Sequence, residues 1–100
     1  GRFGDRQVVP RAWVLESFRP RGRSEDSGFK YGFGWYIKEV EGNEVYFTWG
    51  FGGQYIFVIP DLRVVAVFTS CLADACIQSD KDHLDAIHTM VDSLLVPAIR

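Results

Sequence analysis

A cluster of glycines between two β-prone runs is the part of this chain best suited to chemistry. The cluster is Thr48-Trp49-Gly50-Phe51-Gly52-Gly53-Gln54, and it lies between Val45-Tyr46-Phe47 and Tyr55-Ile56-Phe57-Val58-Ile59. Glycine exposes the backbone, so its N–H groups can approach a ligand closely. The pattern therefore predicts a backbone binding site at a strand end. In the structural alternative, Trp49 and Phe51 fill a sheet face and the glycines are bulge residues.

Other chemical arrangements fit the sequence less well. Phosphate-binding glycine loops need a strand before and a helix after the loop, whereas a strand follows this one, so no nucleotide cofactor or other cofactor is expected. Ser27-Gly28-Phe29-Lys30 matches the Ser-x-x-Lys pattern of a serine nucleophile and its base. That pair requires a helix, but Gly28 and its polar neighbours predict a loop. We therefore do not expect Ser27 to be a nucleophile.

The two histidines do not form a metal site on the predicted last helix. His83 and His88 are five residues apart, so they point in different directions, and neither pairs with a carboxylate at a ligand spacing. His88 flanks the apolar residues Leu84 and Val91, which predicts a partly buried structural histidine. No metal is expected.

Composition indicates one globular domain. The chain has 100 residues and a net charge of −2; residues 1–30 carry +3 and residues 31–100 carry −5. This bias is too weak to indicate a nucleic-acid partner. No apolar run approaches the roughly 20 residues of a membrane span. The first residues lack a methionine and an apolar leader, which suggests that the natural start is missing. Cys71 and Cys76 fit either free thiols or a short-loop disulfide.

Periodicity and turn residues predict an α+β fold: an antiparallel sheet of three to four strands, a short N-terminal helix and a C-terminal helix packed on one face. The predicted helices are a first one over Val8–Ser17 and a last one that begins at Ser79 and Asp82 and ends at Pro97. The predicted strands are Tyr31–Glu39, Val45–Gly50, Tyr55–Ile59 and Val64–Thr69. A polar loop is predicted over 19–29, and turns are predicted at Glu41–Glu44 and Pro60–Arg63.

Apolar residues predict more buried surface than one helix can cover. The last helix carries an apolar stripe, made of Leu84, Ile87, Val91, Leu94 and Leu95. Residues 56–59 and 64–68 are continuous apolar runs, which indicate burial on both faces of the sheet. The second face therefore needs a partner, such as another copy in a homodimer, or the remaining helices of a larger protein.

Several segments together resemble one enzyme family. They are Gly4–Ser17, Tyr31-Gly32-Phe33-Gly34-Trp35, Trp49-Gly50-Phe51-Gly52-Gly53-Gln54-Tyr55-Ile56-Phe57-Val58-Ile59-Pro60-Asp61 and Val64–Ser70. In order and spacing they are similar to the C-terminal part of the serine β-lactamase-like superfamily, nearest to class C β-lactamase-like esterases, DD-peptidases and nylon-oligomer hydrolases. The resemblance implies a partial β-lactamase-like fold and is compatible with a periplasmic or secreted location.

The resemblance also implies roles for the glycine cluster. The family's Ser-x-x-Lys and Tyr-x-Asn motifs would lie upstream, so residues 1–100 would be a C-terminal fragment that lacks the nucleophile and is inactive alone. Thr48-Trp49-Gly50 aligns with the third motif, Lys-Thr-Gly, and the Phe51 N–H would be one of two oxyanion donors. Gly52 and Gly53 complete the substrate-binding set.

Two departures from the family pattern bear on the substrate. Thr48 stands where β-lactamases place a lysine, and Trp49 replaces a small hydroxyl residue. Without that cation, a neutral ester or amide lying against Trp49 and Phe51 fits better than an anionic β-lactam. The intact protein is then expected to be an esterase, amidase or peptidase-like enzyme. The alternative is a stand-alone non-enzymatic module that dimerises or binds a peptide at a sheet edge.

Overall fold

The computed structural model describes residues 1–70 and 80–99, and it is α+β, as predicted. The strands are β1 Arg2–Phe3, β2 Arg6–Gln7, β3 Gly22–Arg23, β4 Lys30–Tyr31, β5 Tyr36–Val40, β6 Asn43–Gly50, β7 Gln54–Ile59 and β8 Val64–Phe68. The helices are α1 Arg11–Ser17, α2 Asp80–Thr89, a π-helical segment Met90–Leu95 and α3 Val96–Ile99, with a 3₁₀ turn at Pro60–Leu62. Ser79, predicted to begin the last helix, and both cysteines lie outside the described residues, and so does the side chain of Asp82.

The main sheet is larger than the predicted three to four strands. It has six antiparallel strands in chain order, β3 to β8, while β1 and β2 form a separate hairpin. The additional strands β3 and β4 pair Gly22 with Tyr31 and Arg23 with Lys30. The strand predicted over Tyr31–Glu39 is therefore divided: Tyr31 belongs to β4, residues 32–35 lie in no strand, and β5 begins at Tyr36. Strand β3 lies in the predicted polar loop over 19–29 and, with two residues, is too short for a sequence pattern to reveal.

The turn predicted at Glu41–Glu44 is confirmed as a tight hairpin. Val40 pairs with Asn43, so only Glu41 and Gly42 connect β5 to β6. Both have positive φ, 51° and 81°, the combination of a two-residue type I′ turn, whose twist matches that of the flanking strands. This short connection fixes the register of the aromatic residues in β5 and β6.

The core lies between one face of the sheet, called here the inner face, and the C-terminal helix. Its buried residues include Phe47, Tyr55 and Phe57 from the strands and Ile87 and Val91 from the helix. Cross-strand pairing of Phe47 with Phe57 and of Tyr55 with Phe68 aligns these rings. The predicted packing of a C-terminal helix on one face is therefore confirmed.

The C-terminal helix continues beyond its predicted end at Pro97. The Val96 N–H bonds to the Val91 carbonyl, five residues back, so the preceding segment is π-helical and the helix runs to Ile99. A proline has no N–H to donate and crowds an α-helical turn, and the wider turn accommodates it. A π-helical turn contains more residues than an α-helical turn, so the apolar stripe shifts along the helix. Val96 is buried, whereas Leu94, a member of the predicted apolar stripe, is 66% exposed.

The opposite face, called here the outer face, is only partly covered by the described residues. Phe18, which follows α1, stacks on Tyr46 with ring centroids 3.9 Å apart. At the β7–β8 end, Ile56, Val65 and Val67 are 40%, 65% and 63% exposed. The continuous apolar runs thus place one set of side chains in the core and the other set on an open face.

Candidate functional site

The glycine cluster forms the hairpin turn between β6 and β7. Gly50 pairs with Gln54, which leaves Phe51, Gly52 and Gly53 as the turn, and the Gly53 N–H donates to the Gly50 carbonyl over 3.2 Å. Gly52 and Gly53 have φ of 77° and 96°, values that side-chain-bearing residues rarely adopt. Two of the three cluster glycines are therefore required by the backbone conformation of the turn.

The Gln54 side chain fastens this turn to the end of β8. Its Nε2 donates to the Ser70 carbonyl at 2.9 Å, and its Oε1 accepts from the Ser70 N–H at 3.1 Å. The Gln54 amide thus pairs with both backbone groups of Ser70, as the backbone of a neighbouring strand would. Gln54 is the last residue of the glycine cluster defined from the sequence. Its partner Ser70 is not among the predicted site residues.

Ser70 and His83 hold Gly53 from the other side. The Ser70 Oγ donates to the Gly53 carbonyl at 2.9 Å and lies 2.9 Å from His83 Nε2. A hydroxyl has one proton, so His83 Nε2 must carry a hydrogen and donate to Oγ. In this arrangement His83 cannot act as a base toward Ser70, and the pair is a structural support for the turn.

The Phe51 N–H has no hydrogen-bond partner among the described residues. The Phe51 side chain is 76% exposed, and the residue lies at the tip of the turn, where water or a ligand can reach the backbone. An oxyanion donor needs a free N–H held in a fixed direction. Phe51 has a free N–H, and hydrogen bonds hold Gly50 and Gly53 of the same turn.

Thr48 and Trp49 point to opposite faces of the sheet. On the outer face, the Thr48 Oγ1 accepts from the Ile56 N–H at 3.1 Å. The Trp49 ring is on the inner face, where it contacts Tyr36 and Tyr55 at centroid distances of 5.6 and 6.4 Å. The two residues that depart from the family pattern therefore do not face one substrate position through their side chains.

A groove of about 370 Å³ follows the turn end of β6, β7 and β8. It is lined by Thr48, Trp49, Gly50, Gln54, Tyr55, Ile56, Val67, Phe68 and Thr69. Thr48, Ile56 and Val67 are successive cross-strand partners on the outer face. None of the lining residues is a lysine, arginine, aspartate or glutamate, so the groove suits an uncharged ligand.

Lys38, His88 and Asp92 form a polar group on the inner face. The Lys38 Nζ donates to Asp92 Oδ1 and to His88 Nδ1, each at 2.7 Å. Burial, and then the charge of Lys38, lower the pKa of His88 to about 4, and burial lowers the pKa of Lys38 against the opposing effect of Asp92. His88 is thus neutral near pH 7 and packs edge-on against Phe47, Tyr55 and Phe57. The prediction of a partly buried structural histidine is confirmed.

The Ser27–Lys30 segment is not helical. Ser27 ends a turn, Gly28 has a φ of 76° and Lys30 begins β4. The serine and lysine side chains therefore lack the helical spacing that nucleophile and base require. In residues 1–70 and 80–99, no three potential metal-ligating side chains lie together, and no helix is long and apolar enough to cross a membrane.

Comparison with known proteins returned no relative. No protein-family model matches the chain, and no curated protein and no solved structure matches it.

Proposed function

We propose that residues 1–100 are the C-terminal part of a β-lactamase-like serine hydrolase that works through an acyl-enzyme. The observation that carries the proposal is the free Phe51 N–H at the tip of a turn that Gln54, Ser70 and His83 hold in place. The sequence resemblance assigns an oxyanion donor to this same N–H. Four hydrogen bonds made by these side chains, one of them to the Gly53 carbonyl, connect the turn to the end of β8 and to α2.

In the proposed reaction this chain contributes binding and charge stabilisation. A serine from the upstream part attacks the substrate carbonyl, and the resulting oxyanion accepts a hydrogen bond from the Phe51 N–H. Because this donor is already oriented, no reorganisation is needed as the negative charge develops. The Thr48 hydroxyl accepts from Ile56 and keeps its own proton for a substrate acceptor.

The substrate class proposed is a neutral ester or amide. The groove next to the turn has apolar walls at Ile56, Val67 and Phe68 and no charged lining residue. A substrate carboxylate in this groove would lose part of its hydration without gaining a cationic partner, and burying an unpaired charge is unfavourable. Esterase, amidase or peptidase-like activity therefore fits better than hydrolysis of anionic β-lactams.

Active-site labelling tests the proposal. We expect the intact longer protein to react covalently with a fluorophosphonate or penicillin-type probe, and residues 1–100 to remain unlabelled under the same conditions. Intact mass spectrometry measures both, and heat-denatured intact protein is the control for nonspecific reaction. A natural protein of only these 100 residues, or an intact protein that no serine-directed probe labels, would refute the proposal.

The open outer face favours a second candidate, a non-enzymatic module that self-associates. Ile56, Val65 and Val67 are exposed there, and β8 is an edge strand of the six-stranded sheet. Packing of two outer faces against each other would bury these side chains, and pairing of two β8 edges would extend the sheet. This candidate predicts a stable dimer of the 100-residue chain in sedimentation equilibrium, and a Val67→Asp variant that is monomeric. A wild-type monomer at high micromolar concentration would exclude it.

A further inference from the structure

A cavity of about 600 Å³ lies between the inner face of the sheet and α2. Its volume is within the range of small-molecule sites, roughly 300–1,000 Å³. Phe29, Trp49 and Leu84 provide apolar walls. The cavity shares Trp49 and Tyr55 with the groove of the proposed hydrolase, but its other walls differ, since Leu84, Asp85 and His88 of the helix line the cavity and not the groove.

The charges around the cavity are mostly negative. Asp26, Asp85 and Asp92 line it together with one cation, Lys38. The ion pair between Lys38 and Asp92, at 2.7 Å, neutralises that aspartate. Among the described side chains, which do not include those of residues 80–82, neither Asp26 nor Asp85 has an ion pair or hydrogen bond, and His88 is uncharged near neutral pH. The described lining residues, three aspartates and one lysine, therefore sum to a formal charge of −2, which favours a cation.

Tyr55 adds an independent indication of a ligand. Its side chain is 1% exposed, it lines the cavity, and its hydroxyl has no hydrogen-bond partner in the part of the chain that the structure describes. Burial, and then the charge of Asp85, raise the pKa of Tyr55 to about 12, so the group remains a neutral phenol. Buried hydroxyls without a partner are uncommon because their desolvation is not compensated. A ligand with N–H donors near Asp85 would supply the missing partner.

We propose that this cavity binds a small organic ammonium ion with an aromatic or aliphatic body. The ammonium group pairs with Asp85 and donates to the Tyr55 hydroxyl oxygen. The apolar body lies against Trp49 and Leu84, and the indole face of Trp49 adds a cation–π attraction. Lys38 does not compete for this position, because its hydrogen bonds to Asp92 and His88 hold its ammonium group at those residues.

A titration with matched ligands tests this site on the 100-residue chain. The probe is 2-phenylethylamine, which is an ammonium ion at pH 7, and the control is 2-phenylethanol, which has the same body without the charge. We expect saturable binding of the amine, with amide shifts in two-dimensional NMR around Trp49, Tyr55 and Asp85. The alcohol should bind at least tenfold more weakly, since it lacks the ion pair. Equal binding of both ligands, or no saturable binding of the amine, overturns the proposal.

Three variants locate the binding. Tyr55→Phe removes only the hydroxyl and keeps the ring packing, and we expect the dissociation constant of the amine to rise roughly tenfold. Asp85→Asn, on an exposed helix position, should raise it by at least as much. Asp61→Asn, on the 3₁₀ turn away from the cavity, should leave it unchanged. If all three variants bind the amine like the wild type, the binding lies elsewhere and the proposal fails.

Discussion

Replacing Phe51 with proline is expected to lower kcat of the proposed intact hydrolase by about 10²–10³-fold, because it removes one proposed oxyanion donor, and such a donor is worth roughly 3–4 kcal/mol of transition-state stabilisation. Proline has no N–H, and at this position the N–H is the only group that the proposed mechanism uses. The preceding residue is Gly50, which tolerates the backbone restriction that proline imposes on its neighbour. Steady-state hydrolysis of a neutral ester measures the effect.

The matched control is Phe51→Ala. This variant keeps the backbone N–H and removes only a ring that is 76% exposed, so kcat should stay within a few-fold of the wild type. Thermal unfolding and the NMR spectrum of each 100-residue variant verify that the turn is retained. Equal losses of kcat in Phe51→Pro and Phe51→Ala would show that the ring, and not the N–H, contributes to catalysis.

Replacing Gly53 with alanine is expected to destabilise the chain by about 2–4 kcal/mol, through backbone strain and a steric clash. Gly53 has a φ of 96°, and an added Cβ would lie 2.7 Å from His83 Nε2 and 3.0 Å from Ser70 Oγ. The substitution therefore opposes both the backbone conformation and the hydrogen bonds that hold the turn. Urea unfolding of the 100-residue chain gives the change in the free energy of unfolding.

Three comparisons separate the two contributions. Gly42 has a φ of 81° and open space where a Cβ would lie, so Gly42→Ala measures backbone strain without a clash. Gly22 has open space and no positive φ, so Gly22→Ala measures neither. We expect about 1 kcal/mol for Gly42→Ala and less than about 0.5 kcal/mol for Gly22→Ala. In a His83→Ala background, Gly53→Ala should lose part of its effect. If Gly53→Ala costs no more than Gly42→Ala, His83 and Ser70 do not confine the turn.

Local sequence signals predicted the long elements well. The strands from Tyr36 to Phe68 and the Glu41-Gly42 turn follow from β-prone residues and turn residues a few positions apart. Two features depended on long-range or cooperative geometry instead. The two-residue strands β3 and β4 are stabilised by pairing to the sheet. The π-helical segment at Met90–Leu95 turns Leu94 toward solvent and brings Val96 into the core.

The sequence by itself determined that Thr48–Gln54 contains a glycine-rich connection between two strands, because positive φ and bare backbone are properties of glycine at single positions. Only the tertiary structure decided what surrounds it. Gln54 and Ser70 are 16 residues apart, and His83 lies 13 residues beyond Ser70; their contact depends on the β7–β8 register and on where α2 packs. The alternation of side chains along β6 likewise placed Thr48 and Trp49 on opposite faces, so Thr48 lines only the groove of the proposed hydrolase, whereas Trp49 also lines the acidic cavity beneath the helix.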